Sequence, residues 1–143
     1  MFVFLRIAIG LVFLFSSLGK LFSPYQNFLY IIQAYQILPS WAETSVAMVF
    51  PWIEFLVGFF VFIGFWTPWA LRGALVLFGI FIVVVGQALI RGLPLENCGC
   101  FGELIHIKPP IVMVLDSFSL LLSFALLRNL SKTNKISLDI FFK

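Results

Sequence analysis

Charge is scarce in this chain. Only 9 Lys or Arg and 6 Asp or Glu occur in 143 residues, against 62% hydrophobic residues and a mean hydropathy of +1.13. A soluble domain of this length cannot bury so much apolar surface, which excludes an ordinary water-soluble fold. The basic excess is a net +3 and forms no patch with interleaved polar contacts, so nucleic acid is not a partner. Cysteine is scarcer still: Cys98 and Cys100 are the two in the chain, so no disulfide can pass between two internal pairs. One histidine, His106, and three methionines leave a closed metal site under-supplied, although paired thiolates do favour Cu(I). Internal repeats are also missing, which argues against an alternating-access transporter.

What is present is a set of long apolar runs. A membrane-crossing helix needs roughly 20 mainly apolar residues. Four runs meet this, at about residues 2–22, 43–66, 70–91 and 111–128. The expected architecture is an all-α integral membrane protein, a bundle of four transmembrane helices spanning residues 1–128 and embedded in the lipid bilayer. A basic tail, 129–143, follows on the cytoplasmic side. The first run is read as a retained helix, because Phe2, Val3, Phe4 and Leu5 ahead of Arg6 make a poor signal-peptide n-region. Gly73, Ala74, Gly79 and Gly86 in the third run could admit a close neighbour.

Between the first two runs, Ser23-Pro24 signals a helix start and Pro39 a stop. Phe28, Ile31, Ile32, Tyr35 and Leu38 fall between them at helical spacing. Such an amphipathic segment suits an interfacial helix between spans 1 and 2, with packing on the bundle as its alternative.

Four spans put both termini on one side. That side would carry Arg6, Arg72, Arg128, Lys132, Lys135 and Lys143, and the other Lys20, Arg91 and Lys108. Basic residues concentrate in the cytoplasm, so the termini are expected there, with the 92–110 connection outside the cell membrane. The expected location is a bacterial cytoplasmic (inner) membrane, crossed several times.

That external connection contains Glu96-Asn97-Cys98-Gly99-Cys100-Phe101-Gly102-Glu103. Cysteines two apart approach the Cα separation a disulfide requires if the chain turns sharply, and Gly99 allows the turn. A bridge so short closes almost no loop, so it adds little stability. A strained or exposed bridge is the labile kind that exchanges. An oxidising compartment lets it persist. Cys98 and Cys100 are therefore the catalytic candidates. Two free, inert thiols or a soft-metal site are the competing readings.

Ionisable residues inside spans are costly and mark candidate functional positions. Lys20 lies near the outer end of span 1, Asp116 about 7 Å into span 4, Glu54 up to ~16 Å into span 2, and Gln87 near the outer end of span 3. One polar group per helix thus sits beneath the cysteine connection. Lys20 is expected to pair with Asp116 or Glu54, either to move protons or hold a polar head group such as a quinone's, or only to orient the bundle. No other cofactor is evident.

The order of short motifs resembles the MauE/DoxX family of small membrane proteins. The match runs through Arg6, Gly19-Lys20-Leu21, Pro24, Phe28, Tyr35 and Ile37-Leu38-Pro39. It continues through Pro51, Glu54, Gly58, Gly64, Cys98-Gly99-Cys100-Phe101-Gly102, and Asp116 before Leu120-Leu121-Leu122. The Cys-Gly-Cys segment places the chain nearer the MauE-like branch. The resemblance implies a redox-associated four-helix membrane protein working beside an extracytoplasmic thioredoxin-like protein or another redox partner; whether it forms a homo- or hetero-oligomer is left open. It also implies Cys98 and Cys100 as the redox pair, with Lys20, Glu54 and Asp116 as recurring polar positions. Together these features point to thiol–disulfide exchange with an external protein and onward transfer to the quinone pool. A non-enzymatic assembly subunit of a redox complex is the alternative, and a small-molecule permease the third reading.

Overall fold

Helix α1, Phe2–Phe22, has glycine where it meets its main neighbour. A Cβ on Gly10 would lie 2.7 Å from the Phe62 backbone, and one on Gly58 would lie 2.7 Å from Phe13 Cβ. These two absences let α1 and α3, Ser40–Ile63, pack backbone to backbone in the most extensive pairing of the molecule. Helix α4, Thr67–Ile90, pairs with α5, Pro109–Arg128, and meets α3 as well. In this computed structural model the described residues are 1–94, 106–133 and 141. Among them, four helices (α1, α3, α4 and α5) are long and apolar enough to cross a membrane. The protein is an all-helical, four-span membrane protein, with the short helix α2, Tyr25–Tyr35, between its first two spans. A four-residue turn of helix, α6, Leu130–Thr133, follows α5.

The core lies between α1, α3, α4 and α5. Phe13 and Phe78 meet at its centre with ring centroids 4.6 Å apart. Ile9, Val61, Leu71, Ala74 and Leu126 surround them. Trp41, Trp52, Trp66 and Trp69 all point away from it. The closest approach belongs to the α1–α3 seam, and the glycines of α4 divide: a Cβ on Gly73 would lie a tight 3.3 Å from Val57 of α3, as expected, whereas the other two have room. Gly79 faces open space, and a Cβ on Gly86 would make ordinary contact with Met113. Three serine hydroxyls inside the spans return to their own helices: Ser17 donates to the Leu14 carbonyl, Ser117 to Met113 and Ser123 to Ser119. Each hydroxyl is thereby satisfied without a neighbouring helix.

Two boundaries moved for identifiable reasons. Ser23 does not cap α2; its hydroxyl donates to the Gly19 carbonyl at 2.9 Å and closes the end of α1. Helix α2 then stops at Tyr35, where Gln36 takes the left-handed conformation (φ 53°), so Pro39 becomes the N-cap of α3. At the other end of α3, Gly64 (φ 79°) lets the Gly64 and Phe65 amides both return to the Phe60 carbonyl, closing the helix before α4 begins.

The bundle thus has a termini end, with Phe2, Ile63, Thr67 and Arg128, and a connection end, with Phe22, Ser40, Ile90 and Pro109. At the termini end Arg6 is 2% exposed, so it is a core residue as well as a charge near the helix start. Arg72 instead stacks on Trp69 with its guanidinium 4.8 Å from the ring centroid.

Candidate functional site

Helix α1 ends at Phe22, whereas α3 begins at Ser40 and runs past that end. The antiparallel packing fixed by Gly10 and Gly58 brings Lys20 level with the middle of α3. Glu54 lies about 21 Å along α3 from Ser40, deeper than a start at residue 43 implied. Lys20, only about 3 Å from its own helix end, reaches it all the same. The choice between two partners resolves to Glu54: Lys20 Nζ lies 2.7 Å from Glu54 Oε2, with both side chains sealed from solvent.

Ser16, one turn before Lys20, completes a triangle. Its hydroxyl donates to Glu54 Oε1 at 2.7 Å and accepts from Lys20 Nζ at 3.2 Å. An ammonium has three N–H donors, and these contacts use two. The remaining side is closed by rings: Phe28 of α2, Phe50 of α3 and Phe81 of α4 lie 5.2, 5.8 and 5.2 Å from Nζ to centroid. Desolvated cation–π contacts of this kind are worth about 2 kcal/mol each. The charge therefore has an aromatic cage as well as a counter-ion. Hydropathy could not mark these three phenylalanines, because a ring that faces a cation and one that faces lipid score alike. Their offsets from Glu54 and Lys20 become visible only once the helices are in register.

Asp116 of α5 joins the same cluster. It is 6% exposed and electrostatically coupled to both Lys20 and Glu54. Its Oδ2 is buried with no hydrogen-bond partner among the described residues. Two carboxyl groups and one ammonium share the site, so the cluster has one acid group more than the lysine can neutralise and can take up or release a proton. Gln87 lies nearer the connection end, and its Oε1 is likewise buried without a hydrogen-bond partner among the described residues. Tyr35 closes α2 against the bundle. Its phenol is pushed up to about 12, by burial first and the Asp116 carboxylate second, so it stays protonated at neutral pH. Pro51, buried one turn before Glu54, has no N–H to give the Ala47 carbonyl, so that helical hydrogen bond is missing from the turn.

Beside the aromatic cage is a cavity of about 300 Å³ between α2, α3 and α4. Phe28, Phe50 and Phe81 form part of its wall, and Ile31, Ile32 and Tyr35 complete its α2 side. The amphipathic face of α2 is therefore accounted for: it roofs this cavity. Cys98 and Cys100 lie outside the described residues, as does most of the tail. The connection that carries them leaves α4 at Ile90 and rejoins the bundle at Pro109, both at the connection end.

The family model for methylamine utilisation protein MauE matches residues 1–129, the whole bundle. The chain belongs to the MauE family. Among curated proteins, the methylamine utilization protein MauE of Paracoccus denitrificans is 29% identical over 122 residues, which cover 83% of this chain. The chain spans 62% of that relative's length. No solved structure matches.

Proposed function

We propose that this MauE family protein is the membrane partner in a thiol–disulfide exchange, with Cys98 and Cys100 as the exchanging pair. One observation carries the reading: the only two cysteines lie in the connection that joins α4 and α5 at the end nearest the Lys20–Glu54–Asp116 cluster. A reactive pair above a buried proton-binding site suits a reaction that moves two electrons with two protons. The partner is an extracytoplasmic thioredoxin-like or substrate protein, and the membrane is the bacterial inner membrane, with the termini in the cytoplasm. Arg6, Arg72, Arg128 and Lys132 at the termini end, against Lys20, Arg91 and Lys108 at the other, support that orientation.

The chemistry balances as follows. A partner thiolate attacks one sulfur of the Cys98–Cys100 disulfide and the other sulfur leaves as a thiolate, giving a mixed disulfide. The partner's second thiol resolves it, leaving the partner oxidised and Cys98 and Cys100 reduced. A membrane quinone accepting two electrons and two protons would restore the disulfide. The buried Glu54 and Asp116 carboxyl groups are proton acceptors inside the bundle beneath that connection. Run backwards, the same steps reduce a client.

The test is to quench membranes in acid, alkylate free thiols and read the redox state of the pair. A disulfide that is lost on reduction and returns in respiring membranes supports exchange. Thiols that stay reduced throughout favour an assembly subunit whose connection docks a partner without chemistry.

A further inference from the structure

The cavity between α2, α3 and α4 is not used by the thiol chemistry above. Its volume, about 300 Å³, is roughly twice that of an engineered apolar cavity that stays dry and binds benzene. Its lining is apolar apart from the Tyr35 phenol. Ile80 on its α4 side is 43% exposed, so the cavity opens sideways, on the face of a spanning helix that meets lipid.

The rim carries a charge. Helix α4 supplies Ile80, Phe81, Val84 and Val85 to the wall, and Arg91 follows Ile80 by three helical turns on the same face. Arg91 is exposed, and its Nη1 lies 3.5 Å from the Gln36 carbonyl, the outer limit of a hydrogen bond. The next residues, Ile37 and Leu38, are cavity wall. The guanidinium therefore stands where the cavity meets the connection end. Glu43, an acid on the adjoining turn of α3, is held by the Gln33 amide at 3.2 Å.

We propose that this is a binding site for an anionic phospholipid, with one acyl chain in the α2–α3–α4 cavity and the phosphate on Arg91. An acyl chain matches a lining with no charge. A guanidinium at the rim selects a phosphate, which it can meet with two N–H donors. The occupied cavity would buttress Phe28, Phe50 and Phe81 from behind and hold them on the Lys20 ammonium.

The experiment uses the full chain in nanodiscs of phosphatidylcholine containing a minor fraction of phosphatidylglycerol, and native mass spectrometry after release. The expected result is retained phosphatidylglycerol enriched over its bulk fraction. Arg91→Gln should reduce that enrichment about fivefold, the value of one arginine near an anionic headgroup. Ile80→Trp should fill the cavity and abolish retention, while Val83→Trp, on the same helix but outside the wall, should leave it unchanged. Equal retention of both lipids, an unchanged Arg91→Gln, or loss in both tryptophan variants would overturn the assignment. So would added ubiquinone displacing the phospholipid. Cysteine reactivity does not enter this test, so its failure and that of the exchange reading remain separate.

Discussion

Lys20 and Glu54 meet at 2.7 Å across the α1–α3 seam, one near the end of its helix and the other near the middle. A buried pair of this kind fixes the register of two helices more than it adds net stability, because desolvating both charges offsets much of their attraction. Removing one partner is a different matter. Glu54→Gln removes the carboxylate in contact with Lys20, leaving the ammonium with Ser16, three rings and the more distant Asp116, and should cost about 3–5 kcal/mol. The double variant Lys20→Met with Glu54→Gln should recover much of that loss. Thermal unfolding in one detergent checks both. A double variant less stable than either single would contradict the pairing.

Close approach of α1 and α3 rests on Gly10 and Gly58. An alanine at Gly58 would set its Cβ 2.7 Å from Phe13 Cβ, and the Gly10 carbonyl would be 3.2 Å away. Gly58→Ala must therefore spread the seam, at about 1–3 kcal/mol for overpacking. Gly79→Ala, facing open space, should be neutral or stabilising by up to about 1 kcal/mol, since alanine is the better helix former. Melting temperatures of the two variants should move in opposite directions or differ clearly in size. Equal effects would place the close contact elsewhere.

Tyr35 reports on Asp116. Burial and the Asp116 carboxylate together push its phenol up to about 12. A group raised in the folded state contributes stability fully below its unfolded value, about 10, and loses it as pH rises through the folded one. Asp116→Asn should let Tyr35 ionise at lower pH, measured by phenolate absorbance in a background with Tyr25 and Tyr30 changed to Phe. An unchanged titration would show that the Asp116 charge does not act on Tyr35.

Much of this was legible in the chain. The four spans could be read because a bilayer demands long apolar runs, and the α2 positions from Phe28 to Tyr35 because amphipathic spacing survives without tertiary context. Lys20, Glu54 and Asp116 stood out because charge inside a span is costly. What stayed hidden depends on register. Depth counted from each helix's own start cannot show that α3 overshoots α1, so the Lys20 partner stayed open between Asp116 and Glu54. The Phe28, Phe50 and Phe81 cage draws on three helices, and nothing local distinguishes those rings from the outward-facing ones. Gly10 carried no signal, since its role appears only against Phe62. Ser23-Pro24 misled because a serine hydroxyl can close the helix behind it as readily as open the one ahead.

The proposed orientation has its own check. A reporter fused after residue 143 should be active only if it matures in the cytoplasm, and a membrane-impermeant maleimide should label Cys98 and Cys100 in reduced whole spheroplasts. Labelling that requires lysis would reverse the orientation and remove the external oxidising compartment from the reading.

The most direct measurement is covalent capture in membranes carrying Cys98→Ser or Cys100→Ser singly. A single thiol can form a mixed disulfide but has no internal neighbour to resolve it. The expected result is one extracytoplasmic protein trapped in a reducible adduct by one of the two variants and absent from the double variant. If neither variant traps a partner, and both support the same cellular function as the unaltered chain, the cysteines do not carry the activity and thiol–disulfide exchange is not what this protein does.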